Sequence, residues 1–540
     1  MKNRCARMNP VLRRRVVERT VFPHIWGRTP KSRTTDAGSL PGLGHTRVIL
    51  CGVRTFSPQS ECVHIWTHLE EQHLKMSRTR DFSSIVGTGR APSLRLPLFI
   101  LCIALASLLL PTRSTIPIVT SGRVHPLTKF VEEGENPLEK LNGARFSCQS
   151  ATALNRCYSP EQIRTAYSIT PLLQRGITGA GHTIIIVDAY QSPTIRQDLQ
   201  IFDRVFGLPD TLLTILAPDG LTPFDPLDAT QISWASEITL DVEWAHAIAP
   251  DARITLVLAK GSKSSEVLSA TRFAIETNQG DVISQSFSEG ESCSSLLSTQ
   301  HQIFQEATLR YITLLAASGD TGSAANQCGG KRSYFLNVAT PASDPLVTGV
   351  GGTHLDADAN TGQYISETTW NDADGASGGG FSSVFQRPYY QNTTVENTHR
   401  GVPDVAYGAD PNGGFLVICS SCTANAKSVM TYISGGTSAG SPQWAAIMAL
   451  ADQAAGKRLG FINAAIYRIG RGPFYRNAFH DIVTGNNTFT KLVAGGETIT
   501  VPGYDATPNW DAATGLGTPI VSELVPLLIA NERVGDGSGL

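Results

Sequence analysis

Residues 253–286 read RITLVLAKGSKSSEVLSATRFAIETNQGDVISQS, and this stretch decides the fold. Its two ends, 253–259 and 281–286, are short apolar runs with β-branched residues, which predict buried strands. Between them, residues 265–278 carry apolar side chains at helical spacing and predict a helix. A strand, a helix and a second strand of this kind form a parallel β-α-β unit, whose sheet is covered on both faces.

The same alternation continues on both sides of this stretch. Strands are also predicted at 182–189 and 312–318, and a further helix at 295–310. Together these segments predict an α/β fold with a mostly parallel sheet and helices on both faces. The glycine-rich stretches TGVGGTH (348–354) and GASGGGFSS (375–383) predict loops or edges around that sheet.

The charge of the chain is unevenly distributed. Residues 1–95 hold 17 Lys and Arg against 6 Asp and Glu, whereas residues 96–540 hold 27 against 40. An acidic body argues against nucleic acid as a partner, and it suits an exported protein that meets low pH. We expect this body to be a monomer.

An apolar run at 96–110 follows Arg90 and Arg95. A membrane span needs about 20 residues, so this shorter run fits the apolar part of a signal peptide, with an N-terminal membrane anchor as the alternative. The protein would then be secreted and would meet the membrane only during export. We predict a doubtful extension that is either a gene-model error or a real basic segment (1–75), a signal peptide (76–111), a short pro-segment or linker (112–147), the main domain (148–531) and a C-terminal tail (532–540).

Six cysteines follow the apolar run, and an even number in an exported chain favours disulfides. We predict pairing between sequence neighbours: Cys148 with Cys157, Cys293 with Cys328, and Cys419 with Cys422. The Cys-Ser-Ser-Cys stretch at 419–422 has zinc binding or redox chemistry as its alternative, although no second such pair accompanies it.

The stretch ISGGTSAGSPQWAAIMALAD (433–452) places Ser438 between a glycine-rich segment and a predicted buried helix. A serine near a helix N-terminus is suited to nucleophilic catalysis, and Pro442 fits the first helical turn. Helix capping by Ser or Thr explains the same residues and is compatible with catalysis. The Gly-x-Ser-x-Gly match in GTSAG lacks the oxyanion loop that lipases carry.

The serine needs a base, and histidine is the first candidate. His246 could serve in a subtilisin-type enzyme, although the sequence lacks the His-Gly-Thr-His element of such enzymes. Residues 205–252 contain no Lys or Arg but eight Asp and Glu, including Glu237 and Asp241 one helical turn apart. These two form either a solvated acidic face or a carboxyl pair that shares a proton, which raises the pKa of one member and makes it a usable base in acid.

Three further polar residues follow predicted strands: Asp188, Ser286 and Asp320. The carboxyl ends of parallel strands meet at one edge of a sheet, so we expect these residues to lie together. Each of them, taken alone, is also compatible with an ordinary turn or cap residue.

Several motifs occur in the order typical of sedolisins, the serine-carboxyl peptidases: SEITLDVEWAHAIAPDA, LLAASGDTGS, SGGGFSSVF, RGVPDVAYGADP, SGGTSAGSPQWAAI, HDIVTGNN and NWDAATGLGTP. The chain resembles this family over roughly 148–531. The resemblance implies a subtilisin-like α/β fold and a serine-type endopeptidase or tripeptidyl peptidase that acts on proteins or peptides. A catalytically silent relative that acts as a binding or surface protein is the alternative.

The resemblance also implies residue roles. Ser438 would be the nucleophile, Glu237 the general base, Asp241 the group that orients it, and Asp188 an auxiliary acid. Asp320 would be a protonated donor to the oxyanion, so the enzyme should work in acid. The expected substrate-binding residues are Ser286, Phe287, Ser377, Gly378 and Gly379, with Phe287 standing where the family commonly has Trp.

One calcium ion is implied by the C-terminal motifs. Its expected ligands are the carboxylates of Asp481 and Asp511 and the main-chain carbonyls of Ile482, Thr507 and Asn509. Glycine is usual at the last two of these positions in the family, but a carbonyl ligand does not depend on its side chain.

Overall fold

The computed structural model describes residues 122–132, 134–141, 143–327, 331–423, 429–493 and 496–532. The predicted extension (1–75), the signal peptide (76–111), the first part of the linker (112–121), Cys328 and most of the tail (533–540) lie outside these residues. None of the described helices has the length and apolar character of a membrane span.

Ten α-helices are described: α1 Pro160–Ala166, α2 Thr170–Leu173, α3 Ile195–Phe206, α4 Ala229–Ile248, α5 Ser264–Glu276, α6 Leu297–Leu309, α7 Gly440–Ala455, α8 Asn463–Gly470, α9 Tyr475–Ala478 and α10 Val521–Glu532. The two helices predicted at 265–278 and 295–310 correspond to α5 and α6, so both predictions are confirmed.

The described strands are β1 His125–Pro126, β2 Lys129–Glu132, β3 Cys157–Tyr158, β4 Thr183–Ala189, β5 Leu213–Leu216, β6 Arg253–Ala259, β7 Val282–Gln285, β8 Phe287–Gly290, β9 Thr313–Ala317, β10 Ala324–Gln327, β11 Lys331–Leu336, β12 Ala339–Thr340, β13 Thr348–Ala357, β14 Tyr364–Thr369, β15 Gly380–Gln386, β16 His399–Val402, β17 Val405–Gly408, β18 Gly414–Cys419, β19 Met430–Gly435, β20 Phe479–His480, β21 Phe489–Leu492, β22 Thr498–Val501 and β23 Thr518–Pro519. The four strands predicted from the sequence are β4, β6, β7 and β9.

Eight strands form the central sheet in the order β14-β13-β9-β7-β4-β6-β5, with β17 also paired to β13. Every pair in this sheet is parallel except β13 with β14. The predicted mostly parallel sheet is therefore confirmed. Its carboxyl ends form one edge, where the polar residues that follow β4, β7 and β9 meet.

Successive side chains of β4 enter two separate apolar cores. Ile184 and Ile186 belong to the core that contains residues of α4 and α7, while Ile185 and Val187 belong to the core that contains residues of α5 and α6. Because neighbouring side chains of a strand point to opposite faces, a strand buried along its whole length needs cover on both sides. This arrangement confirms the prediction of helices on both faces.

The expectation that TGVGGTH forms a loop or edge is wrong. These residues begin β13, an inner strand between β9 and β14. A Cβ on Gly352 would lie 2.7 Å from the Ala409 Cβ and 3.0 Å from the Trp370 ring. Glycine at this position therefore allows Ala409 and Trp370 to pack closely against β13, which is one of the roles of glycine inside strands.

Two predicted disulfides, Cys148–Cys157 and Cys419–Cys422, are present. The second one consumes both thiols of the Cys-Ser-Ser-Cys stretch, so that stretch is not a zinc site. The third predicted pair includes Cys328, which is outside the described residues.

A buried carboxyl group lies in β14, away from the strand ends that carry the polar cluster. Glu367 accepts hydrogen bonds from the hydroxyls of Tyr167 (2.7 Å) and Thr353 (2.7 Å), and also from Thr518. Burial raises its pKa from 4.5 to about 7, although these hydrogen bonds favour the ionised form. A raised pKa in the folded state means that folding is favoured when this carboxyl is protonated.

Glu367 should make the protein less stable as the pH rises. Its contribution is fully present below the ordinary pKa of 4.5 and is lost as the pH passes through about 7, a loss of about 3 kcal/mol. We expect the free energy of unfolding to fall between acid and neutral pH by less in Glu367→Gln than in the wild type. Denaturant unfolding at both pH values measures this, with the exposed Glu523→Gln as the control. Equal falls in the wild type and Glu367→Gln would contradict the assignment.

Candidate active site

Three polar residues expected at the strand ends do lie there. Asp188 is the penultimate residue of β4, Ser286 directly follows β7, and Asp320 comes three residues after β9. The order β9-β7-β4 makes these strands neighbours, so their carboxyl ends are side by side. All three side chains are buried.

Helix α4 brings two more carboxyl groups to this edge. It begins after Asp228, whose side chain accepts a hydrogen bond from the Thr230 N–H (2.9 Å) and so caps the helix. Glu237 and Asp241 lie one turn apart, and both are 0% exposed. The alternative of a solvated acidic face is therefore wrong, because α4 packs against the sheet and α7 and buries both carboxyls.

Burial is the largest cause of the raised pKa values in this carboxyl cluster. The pKa of Glu237 is raised by burial, although contacts with Ser438, Thr128 and Leu127 favour its ionised form. The pKa values of Asp188 and Asp241 are raised well above their usual range by burial and then by the charges of the neighbouring carboxyls. The cluster therefore retains protons at a pH where exposed carboxyls have lost them.

Ser438 lies in a short 3-10 turn that leads directly into α7. Its Oγ is near enough to Glu237 to favour the carboxylate, but the hydrogen bond that it donates runs to the Ser286 carbonyl at 3.3 Å. In return, the Ser286 Oγ donates to the Ser438 carbonyl at 3.4 Å. The serine is thus held between α4 and the end of β7.

Asp320 faces the residues just before Ser438. Its Oδ1 accepts hydrogen bonds from the Thr437 N–H (2.8 Å) and Oγ1 (2.9 Å), while its Oδ2 is buried with no hydrogen-bond partner among the described residues. Burial raises the pKa of Asp320 to about 6, against the opposing charge of Lys129. A protonated Asp320 would therefore have one hydroxyl free to donate.

The chain's own residues 122–132 run through this cluster. The N–H groups of Leu127 and Thr128 both donate to Glu237 Oε2, at 2.7 and 2.9 Å. Gly436 marks where the Leu127 carbonyl meets Asp320. If this glycine had a Cβ, that atom would lie 1.9 Å from the Leu127 carbonyl oxygen and 2.7 Å from Asp320 Oδ2, so both oxygens border the same small space. The peptide bond between Leu127 and Thr128 is thus placed between the base candidate and the free oxygen of Asp320.

This segment is held as an extended strand on both sides of that peptide bond. Before it, β1 pairs antiparallel with β8, and the Val124 N–H donates to the Ser262 carbonyl at 3.0 Å. After it, β2 pairs antiparallel with β19, the strand that leads to Ser438. A peptide substrate bound in a cleft would be held by the same kind of main-chain pairing.

The predicted substrate-binding residues fall into two groups. Ser286 and Phe287 border the segment, since Phe287 pairs with Pro126 and packs against Trp234. Ser377, Gly378 and Gly379 instead support the loop that carries Asp320. A Cβ on Gly378 would lie 2.2 Å from the Ser318 carbonyl oxygen, so the loop of Gly378 packs closely against the loop that carries Asp320. Ser377 Oγ donates to the Ala513 carbonyl at 2.6 Å.

His246 is directed away from this cluster. Its Nε2 lies 2.8 Å from the Pro209 carbonyl and 3.1 Å from the Asp203 carboxylate. It is nine residues further along α4 than Glu237, which corresponds to about 13 Å along the helix axis. This position does not allow His246 to accept the Ser438 proton.

The predicted metal ligands are near one another around α9. Asp481 Oδ1 accepts hydrogen bonds from the Tyr475 hydroxyl and the Asn509 N–H, both at 2.9 Å. Asp481 Oδ2 is buried and finds no hydrogen-bond donor in the described part of the chain. The Asp511 carboxylate accepts from the N–H groups of Ala513 (2.9 Å) and Thr507 (3.2 Å). Within the described ranges, no group of three or more His, Cys, Asp or Glu side chains could hold a metal.

Sequence reasoning missed the segment around Leu127 and Thr128, as well as Thr437 beside Asp320. The segment has no distinctive composition, and its place in the cleft depends on pairing with β8 and β19, which lie far away in the sequence. The hydroxyl of Thr437 could have been suspected only from its position next to Ser438.

Known proteins similar to this chain are peptidases. Kumamolisin from Bacillus sp. (strain MN-32) is 30% identical over 409 residues, which are 73% of this chain and 67% of kumamolisin. The tripeptidyl-peptidase sed4 of Aspergillus fumigatus is 35% identical over 41% of this chain and 39% of its own length. No family model matches the chain.

A solved structure supports the same relationship. Pseudomonas sedolisin, a serine-carboxyl proteinase complexed with two molecules of pseudo-iodotyrostatin, aligns with a TM-score of 0.59 and 26% identity. The alignment covers 70% of this chain and all of the sedolisin chain. Together with the identity to kumamolisin over two thirds of that protein, it shows that the chain belongs to the sedolisin family of serine-carboxyl peptidases.

Proposed function

We propose that this chain is an exported, acid-active endopeptidase or tripeptidyl peptidase that hydrolyses proteins or peptides through an acyl-enzyme on Ser438. One observation carries the proposal. The peptide bond between Leu127 and Thr128 lies between Glu237, which is in contact with Ser438, and the free oxygen of Asp320. A catalytically silent protein would not need a base, a nucleophile and an oxyanion donor around one peptide bond.

The geometry assigns a role to each group in the reaction. Ser438 Oγ attacks the carbonyl carbon, and its proton passes to Glu237. The negative charge that develops on the carbonyl oxygen is stabilised by the protonated Asp320 and by the Ser438 N–H. Glu237 then gives the proton to the departing nitrogen. Its Oε2 already lies 2.9 Å from the Thr128 nitrogen, within reach of the group that leaves. Water later releases the acyl group.

Asp241 and Asp188 tune the base. Two backbone N–H groups point at Glu237 Oε2, which favours the carboxylate on this residue. We therefore assign the first negative charge of the cluster to Glu237 and the remaining protons to Asp241 and Asp188. Asp241 would keep Glu237 oriented, as the third member of a catalytic triad does.

Acid activity follows from Asp320. A carboxyl can donate to an oxyanion only while it is protonated, and burial raises the pKa of Asp320 to about 6. The donor is present below that pH and is lost as the pH rises through it. Export through the apolar run at 96–110 would bring the protein into surroundings where such a pH occurs.

The segment 122–132 is proposed to be the first substrate. While it lies in the cleft, other peptides have no access to Ser438. Cleavage between Leu127 and Thr128 would separate β1 from β2 and release the residues that precede the bond. The part after the bond would stay attached through β2.

Incubation of the purified full chain in acid tests this function. We expect a new N-terminus at Thr128, detected by mass spectrometry, followed by digestion of denatured protein. Ser438→Ala and Glu237→Ala should lose both activities by about three orders of magnitude or more, because each removes a group that takes part in the chemical step.

The matched control is His246→Asn, which changes a buried residue of the same helix. It should keep both activities, whereas a subtilisin-type mechanism would lose them. Circular dichroism establishes that each variant is folded. Cleavage by folded Ser438→Ala at the wild-type rate would refute the assignment, and no cleavage by the wild type between about pH 3 and 7 would favour a silent protein.

Calcium is proposed to bind the C-terminal ligand set. The residues fit a hard cation, because Asp481 and Asp511 supply carboxylates and the carbonyls of Ile482, Thr507 and Asn509 supply neutral oxygens. The buried Asp481 Oδ2 has no hydrogen-bond partner within the described ranges, and the exposed Arg476 guanidinium, 3.8 Å away, is too far to be one, so this oxygen is free to bind a cation. The calcium ion would hold residue 481 and residues 507–511 together.

Calcium removal should lower thermal stability. We expect the melting temperature of the full chain to fall by several degrees when calcium is chelated and to recover when calcium is added back. The Asp481→Asn variant should show no such response. An equal melting temperature of the wild type with and without calcium would contradict the proposed site.

A further inference from the structure

A cavity borders the segment before the Leu127–Thr128 bond. It measures about 20 Å³, room for one water, and lies between α5, α6 and β8. Its walls include the apolar side chains of Val124, Val267, Phe287 and Phe304. Val124 is only 6% exposed, and the cavity that it lines stays open beside it.

One wall of the cavity is a carboxyl group that the proposed mechanism does not use. Glu289 is 6% exposed, and its Oε2 accepts a hydrogen bond from the Ser264 hydroxyl at 2.8 Å. Its Oε1 is buried and has no hydrogen-bond partner among the residues that the structure describes, although the Ser294 hydroxyl lies near enough to the carboxyl group to favour its ionised form. A buried carboxyl oxygen without a donor is costly unless a ligand supplies one.

The strand register places this carboxyl opposite position 124. His125 pairs with Ser288 in the antiparallel β1–β8 ladder, so Val124 comes opposite Glu289, on the same face. Directly opposite side chains have Cβ atoms about 5 Å apart. A side chain longer than Val at this position would therefore extend along the cavity walls towards Glu289.

We propose that this cavity is a specificity pocket for the fourth residue before the cleaved bond, and that Glu289 makes it prefer lysine or arginine. The inference rests on the proposed function, because it takes residues 122–128 as the model of a bound substrate. The apolar walls suit the methylene stem of such a side chain, and Glu289 Oε1 suits its charged end. Val124 in the chain's own segment is then a weakly binding occupant, which suits a segment that has to leave.

Peptides built on the chain's own segment test this inference. The series Gly-Arg-Xaa-His-Pro-Leu-Thr-Lys-Phe copies residues 122–130 and carries valine, norleucine or lysine at Xaa. Norleucine has the stem of lysine without its ammonium group, so the pair isolates the charge. Gly122 is kept throughout, because a Cβ there would lie 1.5 Å from Glu289 Oε1.

The measured quantity is kcat/KM at the upper end of the active pH range. We expect kcat/KM of the lysine peptide to exceed that of the norleucine peptide by about tenfold or more, because only lysine can form a charged hydrogen bond with Glu289. In Glu289→Gln this ratio should fall towards one, with the norleucine peptide cleaved about as well as by the wild type. Glu266→Gln, which removes a carboxylate of α5 outside the cavity, should leave the ratio unchanged.

The outcomes separate this inference from the function on which it rests. If the wild type cleaves all three peptides with a lysine-to-norleucine ratio near one, the pocket preference is wrong and the peptidase proposal stands. The same conclusion follows if Glu289→Gln keeps the wild-type ratio. If the wild type cleaves none of the three after Leu, both proposals fail. The wild-type ratio decides the matter even if Glu289→Gln does not fold.

Discussion

The burial of carboxyl groups against one another, between α4 and the carboxyl ends of the central strands, is the constraint on which the active-site architecture depends. Glu237, Asp241 and Asp188 are all 0% exposed. Each is held in place by the apolar packing of its own element, which keeps water away. An exposed carboxyl in acid is a poor base, whereas a buried one has a raised pKa and accepts a proton more readily. The core therefore supplies the chemistry as well as the stability.

The same principle extends beyond the reacting groups. Asp320, Glu289 and Glu367 are also buried carboxyls with raised pKa values, each with burial as the largest cause. Such groups favour the folded state when they are protonated. A protein with this distribution gains stability in acid, and both its folded state and the proposed Asp320 donor should weaken as the pH rises.

Much of the fold was predictable because local pattern and tertiary role agree. β4, β6, β7 and β9 are apolar along their length, and burial on both faces is what such strands require. The glycine-rich start of β13 was misread because glycine is typical of turns, and only the neighbours of Gly352 explain its place inside a sheet. The exposure of Glu237 and Asp241 could not be decided either, because apolar residues lie on every side of their helix and no polar face marks an exposed side.

The least predictable feature is the path of residues 122–132. Their position depends on main-chain pairing with two distant strands and on two N–H groups that point at Glu237. Main-chain donors are present at almost every residue, so nothing in the sequence marks these two. Under the proposed function, the position of this segment defines which peptide bond reaches Ser438 and which side chain meets Glu289.

The dependence of kcat/KM on pH in the variant Asp320→Asn tests the central claim most directly. An amide donates a hydrogen bond at every pH, whereas the wild-type carboxyl loses its proton near pH 6. The account predicts that the wild-type rate falls above about this pH and that the fall moves to a higher pH in the variant, which stays active. A fall at the same pH in both proteins would contradict the role of a protonated Asp320.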